Sequence, residues 1–222
     1  MGLILNIDTS LEDGSVSLSR NGVIISVKKN SSPKEHAAFL HPSVKVLLAE
    51  AGVNAGSLDA IAVTIGPGSY TGLRVGLAAA KGICYAIKKP LISVGTLNAM
   101  AKTVILQNDD SRNLIYCPMI DARRAEVYTA LYQADMKEIL PAQAVILDAT
   151  SFAEKLKLNN ILFFGNGSYK WKDICTCEGA MFFKNAEIFS AISLIAFEKF
   201  LVRDFADIGF TNPLYTKEFY IN

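Results

Sequence analysis

The spacing of apolar and polar positions changes rhythm several times along this chain, and each change marks an element. Residues 3–9 form a short apolar run that gives way to polar residues, as a buried strand does. Residues 16–19 and 23–28 flank Asn21-Gly22, a pair suited to a two-residue hairpin turn with positive φ at both positions. Over 34–51 the spacing becomes helical. Leu40, Val44, Leu47, Leu48 and Ala51 share one face, Pro42 must lie in the first turn or kink the helix, and Gly52 is placed to stop it. A buried strand over 60–65, a helix over 73–88 ending before Lys89-Pro90, a strand over 91–94 and a helix from Thr96 to 106 follow. Beyond a polar break at 107–111 the pattern weakens. Residues 114–120 and 126–132 read as paired strands and 144–147 as a third. A helix over 151–158, a strand over 161–164 and a long amphipathic helix over 190–207 complete the chain.

The first half reads β-β-β-α-β-α-β-α, an antiparallel hairpin feeding parallel strands through helical crossovers. This is the ribonuclease-H-like order, and the second half echoes it without any residue-level repeat. The expectation is an α/β chain of two ribonuclease-H-like lobes in tandem, the actin-like ATPase (ASKHA) architecture. One lobe covers 1–106 and a smaller one 107–222, with the last helix able to pack back on the first lobe.

Gly66-Pro67-Gly68-Ser69-Tyr70-Thr71-Gly72-Leu73-Arg74 lies between a strand and a helix, where anions often bind. It matches no catalytic motif. Thr71, Gly72 and Leu73 stand where a Walker A loop needs glycine, lysine and a hydroxyl. A dinucleotide fingerprint needs glycine at Thr71, and a nucleophile elbow needs glycines where Pro67 and Thr71 flank Ser69. A tight turn with a helix cap is the better reading. The helix that follows repeats Gly72, Gly76, Ala80 and Cys84 every four residues and is apolar nearly all round. Glycine inside a helix costs about 1 kcal/mol against alanine, so close backbone packing is expected there. The helix is either sandwiched within its lobe or packed on another subunit.

Composition narrows the function. Net charge is +1, without the basic excess of a protein that grips nucleic acid alone, so any RNA contact is shared with a partner. Hydrophobic residues reach 51%, and no stretch is long enough to span a membrane. No signal peptide is read at the N-terminus, and of Cys84, Cys117, Cys175 and Cys177 three read as reduced cytosolic thiols, while Cys175-Thr176-Cys177 is too close for an easy disulfide and lacks zinc-ligand spacing, so the expected location is cytoplasmic. His36 and His41 are the only histidines. Five residues apart on a helix, they point about 140° apart and do not easily clamp one ion. Asp121, Arg123, Arg124 and Glu126 form a charged turn, read as a solvated ion-pair cluster or, through Arg123 and Arg124, as a shared nucleic-acid contact.

Three segments carry a resemblance: Ile4-Leu5-Asn6-Ile7-Asp8-Thr9-Ser10, the glycine-rich loop from Gly66 to Arg74, and Ile120-Asp121-Ala122-Arg123-Arg124-Ala125-Glu126-Val127-Tyr128. They closely resemble the TsaB (YeaZ) family, often filed as glycoprotease-like (M22), whose members serve tRNA threonylcarbamoyladenosine (t6A) biosynthesis in bacteria. Tyr70 stands where that family often has Phe, and Ala125 where it often has Gly. The resemblance implies a two-lobed ASKHA fold, partnership with the catalytic subunit TsaD and the ATPase TsaE, and transfer of threonylcarbamoyl to N6 of adenosine 37 in tRNAs reading codons that begin with A.

It also implies that the helices 34–51 and 73–88 meet the catalytic subunit and pair the free protein as a homodimer. The expected interface is His36, Leu40, Val44, Leu47, Gly72, Leu73, Gly76, Leu77 and Ala80. Asp8, Thr9 and Ser10 stand where the fold places its first phosphate loop. The candidate second loop, with Gly165 and Gly167, lacks a carboxylate to hold Mg²⁺. The stretch 93–101, where the catalytic relative carries a metal-binding histidine pair, has no His, Cys, Asp or Glu. The expectation is an accessory subunit without catalytic residues, metal or cofactor of its own, with ATP/ADP and metal on the partner subunits. The alternative is an M22-like metallopeptidase or an ATP-using phosphotransferase.

Overall fold

The computed structural model describes residues 2–30, 35–108, 114–183 and 187–216. The chain divides into two compact units. Met1–Ala99 and Ile188–Leu214 form unit 1, and unit 2 is built on Met100–Glu187. The first boundary falls between Ala99 and Met100 and not at 106/107, and Ile188–Leu214, with the last helix, is part of unit 1.

Unit 1 holds β1 (Leu3–Asp8), β2 (Ser15–Arg20), β3 (Val23–Lys29), α1 (His36–Glu50), β4 (Ala60–Gly66), α2 (Tyr70–Ile87) and β5 (Leu91–Gly95). Its sheet runs β3-β2-β1-β4-β5, antiparallel through the first three strands and parallel from β1 to β5. The β2–β3 turn adopts φ 52° at Asn21 and 81° at Gly22, as the Asn-Gly pair predicts. β1 is buried along its whole length, since both faces of the sheet are covered. On one face Leu5, Ile7, Leu18, Ile61 and Val63 pack with Leu40 and Leu47 of α1 and Leu77 and Ala80 of α2. The other face receives α6 (Phe189–Leu201), and its chemistry is polar there. The Asn6 amide nitrogen donates to Ser19 Oγ (3.0 Å) and to Ser193 Oγ of α6 (3.3 Å).

Several bounds differ from expectation. Lys34 lies outside the described residues, and α1 begins at His36 with Pro42 inside it on the exposed side. α2 starts three residues before Leu73, because the Ser69 hydroxyl accepts the Gly72 N–H (3.2 Å) and caps it. α6 stops at Leu201 and does not reach 207. Arg203 turns left-handed (φ 58°), and the Ala206 N–H pairs with the Leu91 carbonyl of β5 (2.8 Å).

Unit 2 holds β6 (Leu114–Asp121), β7 (Glu126–Tyr132), β8 (Glu138–Ile146), α4 (Ala153–Leu156), β9 (Asn160–Phe164), α5 (Ser168–Lys172) and β10 (Ala180–Phe182); α3 (Thr96–Gln107) precedes β6. The sheet runs β10-β9-β6-β7-β8. Its core is aromatic: Trp171 lies 4.3 Å from the Phe163 ring and 5.4 Å from Phe152, centroid to centroid. Numbered within its own unit, each sheet has the order third, second, first, fourth, fifth. The ribonuclease-H-like arrangement therefore occurs twice along the chain, as the element order predicts.

Candidate functional site

The end of β1 and the glycine-rich loop form one interlocked structure. Asp8 is buried, and its Oδ1 accepts three hydrogen bonds: from the Ser10 N–H (3.0 Å), the Ser10 hydroxyl (2.7 Å) and the Thr64 hydroxyl of β4 (2.8 Å). The Thr9 hydroxyl donates to the Gly72 carbonyl (2.7 Å), and the Ser69 N–H donates to the Ser10 carbonyl (2.7 Å). The glycines are required by this approach. A Cβ at Gly68 would fall on the Ser10 carbonyl oxygen, one at Gly72 on the Thr9 carbonyl oxygen, and one at Gly76 on the Thr9 hydroxyl. His36, 5% exposed, wedges between Gly72 and Gly14, and its Nδ1 has no hydrogen-bond partner.

In unit 2, Gly165 and Gly167 press against the backbone of β6. A Cβ at Gly165 would fall on the Met119 carbonyl oxygen, and one at Gly167 would lie 2.9 Å from the Ile120 carbonyl carbon. Between them, Asn166 Oδ1 accepts the Asp121 N–H (2.9 Å). The β6–β7 turn beside them carries Arg123 and Arg124. Lys170 Nζ of α5 reaches Asp121 Oδ1 (2.5 Å) and the Arg124 carbonyl (2.6 Å). Burial pulls the Asp121 carboxyl upward, but the Lys170 and Arg123 hydrogen bonds outweigh it, and its pKa lies below the ordinary carboxylate value. Lys170 carried no sequence signal, standing 49 residues from Asp121. Among the described residues no three His, Cys, Asp or Glu side chains gather as metal ligands would.

A family model described as TsaD, tRNA N6-adenosine threonylcarbamoyltransferase, matches residues 26–210. A Bacillus subtilis tRNA threonylcarbamoyladenosine biosynthesis protein TsaB is 32% identical over 73% of this chain and 70% of its own. The chain belongs to the TsaD family, and within it to the TsaB group. The Escherichia coli TsaB is 38% identical over 60% of this chain, which thus spans little more than half (55%) of that relative. A Pseudomonas aeruginosa structure described as similar to peptidase YEAZ superposes with a TM-score of 0.82 at 25% identity, over 98% of this chain and all of that one.

The TsaB-group residues expected to form a partner interface are interior in this chain. His36, Leu40, Val44, Leu47, Gly72, Leu73, Gly76, Leu77 and Ala80 are all buried within unit 1. The small-residue ridge of α2 lets the helix settle onto the Thr9–Ser10 segment, so Gly72 and Gly76 receive their own chain and not a partner helix. The face that α1 and α2 turn outward is a different one. It carries His41 and Val46 on α1 and Ala78, Gly82, Tyr85 and Ala86 on α2, with Tyr85 82% exposed. Beyond its own stretch of helix, no atom lies within 4 Å of a Cβ built at Gly82.

In each unit the side chains of the candidate phosphate loop are engaged within that unit. The Asp8 carboxylate and the Thr9 and Ser10 hydroxyls bind their own chain, and so does Asn166 in the second loop. Residues 165–168 contain no carboxylate of their own, and the Asp121 carboxylate beside them is paired with Lys170.

Proposed function

We propose that this chain is a non-catalytic partner of TsaD in the complex that places threonylcarbamoyl on N6 of adenosine 37 in tRNAs reading codons that begin with A. The observation that carries the reading is the interlock at β1. Asp8, Thr9 and Ser10 stand where a phosphate-handling protein of this fold would bind its ligand, and here they hold the glycine-rich loop. A loop so occupied serves as scaffold. The names of the relatives support the tRNA modification itself. On this reading the chain has no cofactor of its own, ATP and metal belong to TsaD and the ATPase TsaE, and the complex works in the cytoplasm.

Pairing uses the outward face of α1 and α2, in place of the buried ridge. Its exposed Ala78, Gly82 and Ala86 let another helix approach closely, and Val46 and Tyr85 supply apolar surface. The same face pairs the free protein as a homodimer, so self-association and TsaD binding exclude each other. Co-purification with TsaD and TsaE, followed by modification assays on unmodified tRNA with each protein omitted in turn, tests the function. Ala78→Glu tests the surface. It leaves the far-ultraviolet circular dichroism and melting unchanged and abolishes both homodimer and TsaD capture. Wild-type capture by a folded Ala78→Glu chain would place the interface elsewhere.

A further inference from the structure

The β6–β7 turn is built at a conformational disadvantage. Arg123 (φ 69°) and Arg124 (φ 50°) are consecutive left-handed residues, the geometry that selects Asn-Gly in the β2–β3 turn of this same chain. Arginine gains nothing locally from that conformation. The turn is nevertheless secured on every side. Ala122 N–H donates to the Glu126 carbonyl and Glu126 N–H to the Arg123 carbonyl (3.1 Å each). Arg123 N–H donates to Asp121 Oδ1 (2.6 Å), and Lys170 ties that carboxylate to the Arg124 carbonyl from below. Lys170 also changes the electrostatics. It pairs with Asp121, which leaves the arginine side chains without a salt bridge to that carboxylate. Both guanidinium groups are exposed and make no hydrogen bond or salt bridge among the described residues.

We propose that this turn is a preorganised phosphodiester-binding fork, in which Arg123 and Arg124 grip the RNA backbone and Lys170 acts as the positioning residue beneath them. The proposal rests on the tRNA reading above and deepens it. Guanidinium is the side chain best matched to phosphate, with a fork of donors and a permanent charge. An acidic protein surface offers carboxylates to the same fork, but the neighbouring residues favour RNA. Tyr169, adjacent to Lys170 in α5, is half exposed (51%), and Lys172 beyond it is exposed. An exposed aromatic among cations provides a face on which an unpaired base can stack. The modest net charge of the chain is compatible with this role, because two contacts add to a partner's grip without binding tRNA alone.

The test uses the complex reconstituted from this chain, TsaD and TsaE, with unmodified tRNA. Arg123→Ala/Arg124→Ala assembles as wild type by size exclusion. Its tRNA affinity falls roughly tenfold at 0.1 M salt, and the slope of log K against log salt shrinks by about 1.4 to 1.8, the value for two lost phosphate contacts. Tyr169→Ala weakens binding with the slope unchanged. Lys170→Met speeds amide exchange over residues 122–126 and lowers tRNA affinity by a smaller factor, and Lys170→Arg restores both. Unchanged affinity and slope in the double variant would overturn the proposal. So would a loss that appears in TsaD or TsaE binding, which would make the turn a protein contact. If the wild-type chain neither joins the complex nor supports modification, the functional reading itself fails, and the inference falls with it.

Discussion

Gly72→Ala and Gly82→Ala make the same chemical change on the same helix, α2, and their surroundings give them opposite signs. Alanine gains about 1 kcal/mol over glycine inside a helix. At Gly82 nothing beyond its own stretch of helix lies within 4 Å of the added carbon, so in the monomeric chain, at concentrations below self-association, this gain is the whole effect. At Gly72 the carbon falls on the Thr9 carbonyl oxygen, with His36 and Ser69 each 3.1 Å away. Forcing an extra carbon into a packed site costs about 1–3 kcal/mol. Separating the segments also weakens the bond from the Thr9 hydroxyl to the Gly72 carbonyl, worth about 1 kcal/mol. Against the helical gain, the net loss at Gly72 is about 2 kcal/mol. Urea titration followed by far-ultraviolet circular dichroism reads both. With a slope of about 2 kcal/mol per molar, the Gly72→Ala midpoint falls by about 1 M and the Gly82→Ala midpoint rises by about 0.5 M. A Gly72→Ala protein as stable as wild type would refute the placement of the ridge against β1, and a Gly82→Ala chain destabilised as a monomer would refute the open surroundings of Gly82.

Four further outcomes are expected. Burial pushes the Cys84 thiol to about 11 and Cys117 to about 12; at pH 8 a thiol reagent therefore labels half-buried Cys175 and Cys177 first and reaches the other two only on unfolding, and equal rates at all four would contradict this. The raised Cys117 pKa stabilises the fold fully below the ordinary 9.0, and that contribution is lost as pH climbs from there toward about 12, by up to about 1.4 kcal/mol per pH unit; Trp171 fluorescence in urea at pH 8 and 10.5 shows the fall, which is smaller in Cys117→Ala. Asp8→Asn weakens the acceptor for Ser10 and Thr64 and lowers the unfolding free energy by about 1–3 kcal/mol while TsaD capture by the folded fraction persists; complete loss of capture by folded protein would give Asp8 a direct role. Isolated protein binds tRNA weakly with a shallow salt dependence, and submicromolar binding at physiological salt without partners would overturn that expectation.

The elements most legible in the sequence are those whose environment is uniform. β1 and β4, buried along nearly their whole length, stand out as apolar runs, and Asn21-Gly22 announces its own turn. β8 is half exposed and carries Pro141, so only its end is visible as an alternating pattern. The four-residue repeat of Gly72, Gly76 and Ala80 shows that these residues share a face, but periodicity contains no information on whether that face meets solvent, a partner or the chain itself. Thr9 answers that only in three dimensions. The Arg123-Arg124 turn is plain in the sequence, whereas its support from Lys170 joins residues 49 apart in separate elements and has no local trace.

The bond from Asn6 to Ser193 joins residues 187 apart and closes a unit whose two segments enclose another. During synthesis the sheet of unit 1 is complete once β5 has emerged, yet the face that α6 covers stays bare until residues 189–201 follow. Unit 2 is built mainly on one continuous stretch and is free to fold in that interval. The early strands must wait through it with Asn6, Ser17 and Ser19 uncovered. Small polar side chains suit that wait, because a nascent sheet face bearing serine and asparagine tolerates water where one bearing leucine would invite aggregation.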